Sequence, residues 1–424
     1  MNTQEKYKQY VNTAFVKAVE PVVAVSAVGA KLTGEDGTVY TDLFAGISVV
    51  NSGHGNPEVI AAAKAQMDKL IHCCSYAYHV PAVADLAEKL AQITPGKLQK
   101  TFFGNGGAEA IEGAMRLAKQ FTKKQEFISL QGSFHGRSLA TLAITGNCGR
   151  KRGGGPYLTG CSYHPAAYCY RCPHKMTYPA CDLYCAKDLE RTIQFTTSDN
   201  VAAFIAEPVM GEGGVVAPPL DYFKEIKKVL DAHGILLFVD EVQSGFGRTG
   251  KMFAIEHYGV EPDIMCMAKG IADGFPLSAF IAKPEIADAF KPGDHLSTFG
   301  GNPVSCAASL ANIAYMEREK LADQSLAKGE ILRGELRELA KRHPLIGDVR
   351  GLGLMVGVEL VKDKAKTPAT EEAGKVKAKL REKGFLVGVG GTWGNVLRIQ
   401  PPLVISQADL SAAVKALDES LKAI

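Results

Sequence analysis

Short apolar runs bounded by turn residues dominate the middle of the chain. EFISL (126–130), VAAFIAEPV (201–209), GILLFVDEV (234–242) and PDIMCMAK (262–269) are the clearest of them. Runs of this length without alternation predict strands enclosed on both faces. Segments of helical period lie between them. In AEAIEGAMRLAKQF (108–121), Ile111, Met115, Ala118 and Phe121 fall near one face, and DYFKEIKKVLDAHG (221–234) is a second such segment. The alternation predicts an α/β fold, a mostly parallel sheet with helices on both sides. Ahead of it, AKLTGEDGTVYTDL (30–43) predicts strand, Asp36-Gly37 turn, strand.

Beyond about residue 310 the pattern changes. Residues 309–343 predict a long helical stretch. VRGLGLMVGVELV (349–361), GFLVGVG (384–390) and NVLRIQPPLVIS (395–406) predict strands, with a helix between the first two. This tail is expected to form a smaller α/β domain at 313–424, with residues 1–50 as its N-terminal part and 51–312 as the large domain. The chain's 424 residues match the two or three domains expected at roughly 150 residues each.

Charge narrows the function classes. With 48 basic and 45 acidic residues, the chain offers no electrostatic case for nucleic acid or an anionic membrane. The apolar stretch PVVAVSAVGA (21–30) is too short to span a bilayer and too far in for a signal peptide. A cytoplasmic setting with free thiols is the expectation.

In an open parallel sheet, ligands sit beyond the carboxyl ends of the strands. TFFGNGGAEA (101–110) brings bare backbone to a helix start, a phosphate-binding geometry or merely a glycine-rich connection. FISLQGSFHGRS (127–138) brings Phe134, His135 and Arg137, an aromatic cover for a flat ligand or a core phenylalanine beside a solvated arginine. Glu207 and Glu212 follow the next run. LLFVDEVQ (236–243) brings Asp240, Glu241 and Gln243, and Lys269 stands two residues past the last run. Burial disfavours a charged amine and makes it nucleophilic near neutral pH. A phosphate cradle, an aromatic lid, an emerging acid and a lysine together suit pyridoxal 5'-phosphate. That cofactor needs a lysine for its imine and an acid for its ring nitrogen.

These residues resemble the class III (omega-amino acid) aminotransferases, pyridoxal-phosphate enzymes of fold type I. The resemblance runs from LFAGISVVNSGHGNP (43–57) to NVLRIQPPLVIS and is most specific over residues 236–279. It implies that Lys269 and Asp240 are catalytic, Lys269 joined to the cofactor and Asp240 on its ring nitrogen. It implies Gln243 near the ring hydroxyl, Phe134 on the ring, and Gly106, Gly107 and Ala108 at the phosphate; His135 and Glu207 complete the cofactor set. Thr298 resembles the threonine that reaches the neighbouring subunit's phosphate, which implies a homodimer with shared sites, or a tetramer built from it. The phosphate loop lacks the hydroxyl residue often found there. On the substrate side the resemblance implies Ile47 on the pocket wall and Arg137 on an omega-carboxylate. Glu212 and Arg398 resemble a pair that opens to admit an alpha-carboxylate. The expected reaction moves an amino group from an omega-amino acid to a 2-oxo acid. The alternatives are an alanine–glyoxylate type, a racemase or a decarboxylase.

Residues 160–188 hold five of the ten cysteines. Cys169, Cys172, Cys181 and Cys185 are spaced like zinc ligands, although the gap between the pairs is short. A small metal knuckle and a set of free thiols both fit; no metal ligand is assigned.

Overall fold

The computed structural model describes residues 1–13 and 19–424. After a helix, Thr3–Tyr10, come three strands, β1 (Ala24–Val28), β2 (Lys31–Gly34) and β3 (Val39–Asp42), paired antiparallel in sequence. The β2–β3 turn is the expected one. Gly37 takes a φ of 82°, and Asp36 Oδ1 accepts the Thr38 N–H at 3.0 Å.

The central sheet comprises β4 (Lys100–Gly104), β5 (Glu126–Leu130), β6 (Cys161–His164), β7 (Val201–Ala206), β8 (Leu236–Asp240), β9 (Ile264–Met267) and β10 (Ser278–Ala282). Its order is β4-β10-β9-β8-β7-β5-β6. Strands β5 to β9 are parallel, and β10 runs antiparallel to both neighbours. Residues 268–277, which join β9 to β10, hold no helix long enough to cross a sheet face, so β10 returns antiparallel.

Both faces of this sheet are packed, as the unbroken apolar runs require. Every residue of β7 is buried. Side chains alternate between faces: Ile205 and Phe238 meet the helix Gly107–Thr122, whereas Phe204, Leu237 and Val239 pack with the helix Tyr222–His233. Each such fully buried side chain contributes roughly 1.5–3 kcal/mol.

The C-terminal part carries β11 (Ile346–Leu352), β12 (Met355–Leu360), β13 (Phe385–Leu386), β14 (Gly388–Gly390) and β15 (Val396–Ile399). Four of them form an antiparallel sheet, β11-β12-β15-β14. β13 instead pairs parallel with β3, Phe385 opposite Thr41. The two ends of the chain therefore share a sheet.

Two expectations need correction. The stretch 309–343 is not one helix but the end of Pro303–Arg318 followed by Leu321–Ala340. The break is at Lys320, which takes a φ of 51°, and the turn it makes buries Leu321 in the core. No glycine or proline marks the place. The chain also ends on a helix, Gln407–Lys422, which the strand reading of the tail omits; Ser406 caps it by accepting the Asp409 N–H at 3.0 Å. Among the described residues no helix is long and apolar enough to cross a membrane.

Candidate active site

Strands β7, β8 and β9 lie side by side and end on Ala206, Asp240 and Met267. Glu207, Asp240 and Lys269 therefore emerge together at the carboxyl edge of the sheet, where such folds bind ligands. The β-strand alternation carries Asp240 to the face of the helix Gly107–Thr122, the same face as Phe238.

Asp240 belongs to a buried polar layer. Its Oδ2 lies 2.8 Å from His135 Nδ1, and its Oδ1 accepts the Val242 N–H at 3.0 Å. Glu207 accepts the N–H groups of Phe134 and Gly211, each at 2.9 Å. Burial pushes the Glu207 carboxyl upward; His135 opposes this and Asp240 adds to it. Glu207 thus fixes the backbone of Phe134 rather than facing the cavity. Glu241 has a separate task. Its carboxylate accepts from Ser244 Oγ at 2.5 Å and from the Ile255 N–H at 2.7 Å, tying down the glycine-rich loop. Burial raises its pKa to about 7.

Lys269 opens a short turn, Lys269–Ile271, at a left-handed φ of 47°. Side chains hold that strained conformation in place. Asn312 Nδ2 donates to the carbonyls of Gly270 and Ile271 at 2.9 and 3.1 Å, and Ser309 Oγ donates to Ile271 at 2.8 Å. A Cβ at Gly270 would stand 2.5 Å from Asn51 Nδ2, so only glycine fits there. Asn51 Oδ1 in turn accepts from Arg248 Nη2 at 2.5 Å. This support was invisible to pattern reading, because Asn51, Arg248 and Asn312 look like ordinary loop and helix polar residues. Burial lowers the proton affinity of Lys269; Asp240 and Glu207 partly restore it.

A cavity of about 700 Å³ opens above this layer. Ile47, Phe134, Arg137, Gln243 and Lys269 line it, as do Glu212 and Arg398. Ile47 stands in a left-handed turn, at a φ of 72°. Asp42 holds the turn by accepting the Phe44 and Ala45 N–H groups at 2.7 and 2.9 Å. Arg137 lies 5.7 Å from the Phe134 ring centroid. Gln243 Oε1 accepts from Gln400 Nε2 at 2.9 Å. Glu212 Oε2 is 3.2 Å from Arg398 Nη1, and its Oε1 is taken by Arg150. Pattern reading missed Arg150.

Gly106, Gly107 and Ala108 do not line this cavity; they adjoin it at the start of the helix Gly107–Thr122. No side chain caps that helix start. A Cβ at Gly107 would lie 2.9 Å from Val242 Cγ1, and one at Gly136 would lie 2.9 Å from Ala108 Cβ, so the loop sits against the Asp240 and His135 segments. Thr298 is not brought to this site. It is exposed, although its neighbour Ser297 is buried and bonded to Glu109.

Cys169, Cys172, Cys181 and Cys185 line one small separate cavity with His174, and all four are free thiols. Among the described residues, no group of three or more His, Cys, Asp or Glu side chains is placed to hold a metal ion.

The chain belongs to the class III aminotransferases, whose family model matches residues 14–421. It is 40% identical to the leucine/methionine racemase of Thermococcus litoralis over 98% of this chain and 94% of that one. It is 39% identical to the 5-aminovalerate aminotransferase DavT of Pseudomonas putida, over 95% and 94%. A Bacillus anthracis aminotransferase structure superposes with a TM-score of 0.94 at 36% identity, each chain covered in full. An amine transaminase from an uncultivated Pseudomonas species, in its pyridoxal-phosphate-bound form, superposes with a TM-score of 0.91 at 33% identity, over 97% and 98%. The fold is therefore fold type I, and the chain is a pyridoxal-phosphate-dependent aminotransferase. The residues present fit that cofactor. A desolvated lysine lines the cavity, and beside it stand a buried acid and an uncapped helix start whose glycine leaves no room for a Cβ.

Proposed function

We propose that the enzyme moves an amino group from an omega-amino acid, such as 4-aminobutyrate or beta-alanine, to a 2-oxo acid. The carrying observation is that Arg137, the Glu212–Arg398 pair and Lys269 line one cavity. When bound, pyridoxal phosphate supplies a carbonyl carbon that takes amines and a ring that accepts an electron pair. In this reading Lys269 holds the cofactor and its Nζ moves the proton at the substrate carbon. Asp240 keeps the proton on the ring nitrogen, Gln243 sits by the ring hydroxyl, and Phe134 covers one ring face. His135 holds Asp240 and Glu207 holds Phe134. The N–H groups of Gly106, Gly107 and Ala108 receive the phosphate.

Arg137 takes the far carboxylate of the donor. Glu212 neutralises Arg398 while a carbon without a carboxylate occupies that end; when Glu212 moves away, Arg398 grips the 2-oxo acid's carboxylate as a fork. Ile47 forms the wall between. One site serves both half-reactions, so the kinetics are ping-pong. The name of the DavT relative, an omega-amino acid transaminase, favours this donor class.

A donor panel tests it: 4-aminobutyrate, beta-alanine, ornithine and alanine against 2-oxoglutarate, pyruvate and glyoxylate. The expected result is highest kcat/KM with an omega-amino acid. Dominance of alanine with glyoxylate would assign the alanine–glyoxylate type instead. A second reading, racemisation, draws on the racemase relative. With amine and no 2-oxo acid, transamination bleaches the yellow enzyme, while racemisation inverts the substrate and leaves the colour.

We also infer a homodimer. Thr298 lies between exposed Leu296 and Phe299, and exposed Ile71 and Tyr78 belong to a neighbouring segment joined to this one by the His72–Phe299 ring contact at 5.3 Å. An apolar patch of this kind marks an interface, and it would carry Thr298 to a second copy's phosphate. Sedimentation should give twice 45.3 kDa or a multiple of that; a persistent 45.3 kDa species would contradict it. The reading treats residues 1–50 and 313–424 as one small domain beside 51–312, which the β3–β13 pairing supports. It places the enzyme in the cytoplasm, in keeping with ten free cysteines.

A further inference from the structure

Arg150 lies in the segment GNCGRKRGGGP (146–156), where three basic residues in a row look like a solvated run. Local structure separates them. Residues Cys148–Arg150 form a short 3-10 turn in which Asn147 Oδ1 accepts the Gly149 N–H at 3.1 Å. Lys151 turns the other way; its Nζ donates to Tyr163 Oη at 2.7 Å and sits 4.2 Å from that ring's centroid. With both neighbours pinned, the Arg150 side chain reaches into the cavity and donates from Nη2 to Glu212 Oε1.

Glu212 is therefore shared by two cations. Its other oxygen is 3.2 Å from Arg398 Nη1, close enough for charge attraction but not aligned as a hydrogen bond. Arg398 is buried, and its Nε and Nη1 have no hydrogen-bond partner. A buried guanidinium with unspent donors is costly, and an incoming carboxylate would satisfy it. The guanidinium cannot easily turn elsewhere. It lies 5.2 Å from the Phe44 ring centroid, and Gly390 packs so closely that a Cβ there would stand 2.6 Å from its Nε. Despite burial, the paired cations hold the Glu212 carboxyl below its usual pKa, so it stays available as an anion.

We propose that Arg150 is a specificity-determining positioning residue. It holds Glu212 Oε1 in a hydrogen-bonded ion pair, leaves only Oε2 to face Arg398, and so weakens the neutralisation of that guanidinium and biases the pocket toward substrates that bring their own alpha-carboxylate. The proposal rests on the reading that Arg398 receives that carboxylate. Without Arg150, Glu212 has one cation left to pair with, and the Arg398 end becomes neutral and suited to a donor carbon bearing none.

The test uses the holoenzyme and its Arg150→Met and Arg150→Lys variants, with half-reactions followed by loss of cofactor colour. The donors are L-alanine, which has an alpha-carboxylate, and 4-aminobutyrate, which has none on its reacting carbon. In Arg150→Met the alanine to 4-aminobutyrate ratio of kcat/KM falls about tenfold, mainly through the KM for alanine, a bias of the size that a modest population shift gives. Arg150→Lys recovers most of the ratio, because a cation is restored. In a Glu212→Gln background, Arg150→Met leaves the ratio unchanged. The side chain is partly exposed, so the variants fold. A ratio within about twofold of wild type in Arg150→Met, or a fall that persists in Glu212→Gln, overturns the proposal. A wild type that responds to neither donor removes the underlying reading and this inference with it, a result distinct from an unchanged ratio.

Discussion

Lys269→Ala loses turnover by at least about 10⁴-fold while the protein stays folded, because in the proposed mechanism the residue is both the cofactor's attachment and the proton carrier. The fold survives for a structural reason. The turn Lys269–Ile271 is held through the carbonyls of Gly270 and Ile271 by Asn312 and Ser309, and no bond of the lysine side chain supports it. Alanine keeps the same backbone and also relieves the enclosure of an amine whose charged form burial disfavours. Steady-state assays with the best donor pair, beside circular dichroism and a thermal melt, check both halves. Near-normal kcat in a folded Lys269→Ala variant would end the assignment of Lys269.

Asp240→Asn is expected to lower kcat by about 10²–10³-fold, the usual scale for removing one preorganised charge from a dry site. Asparagine has nearly the same shape. It can still accept the Val242 N–H that Asp240 Oδ1 now accepts at 3.0 Å, and it can still meet His135. What it lacks is the negative charge that, in the proposed mechanism, would keep a proton on the cofactor's ring nitrogen. The loss should therefore fall on kcat of the half-reaction with every donor alike, not on any one donor's KM. Rates within about threefold of wild type would show that the acid does not act on the ring, since an interaction made in the transition state lowers kcat and kcat/KM together.

Much of this site was readable before any coordinates because of the sheet's own logic. Apolar runs enclosed on both faces end abruptly, and the polar residues at those ends, Glu207, Asp240 and Lys269, are the ones that converge. Alternation along β8 also separates Asp240 from Glu241, one on the helix Gly107–Thr122 face and the other bonded to the loop it anchors. What stayed hidden depends on backbone conformations that no residue type announces. Lys320 breaks a helix at a positive φ; Ile47 is named by the family resemblance and not by its own pattern, since it meets the cavity from a left-handed turn. Arg150 is chosen from Arg150, Lys151 and Arg152 only by the turn that Asn147 caps. Thr298 is named by the resemblance alone, and its exposed place in this chain is explained in the proposed reading by a second subunit.

The central claim is that the cofactor's carbonyl carbon is held by one particular lysine, the residue two positions beyond β9. Reducing the yellow holoenzyme with borohydride, digesting it and mapping the peptides by mass tests this most directly. The pyridoxyl group should be found on Lys269 alone. Its appearance on any other of the chain's lysines, or on none, would contradict the account.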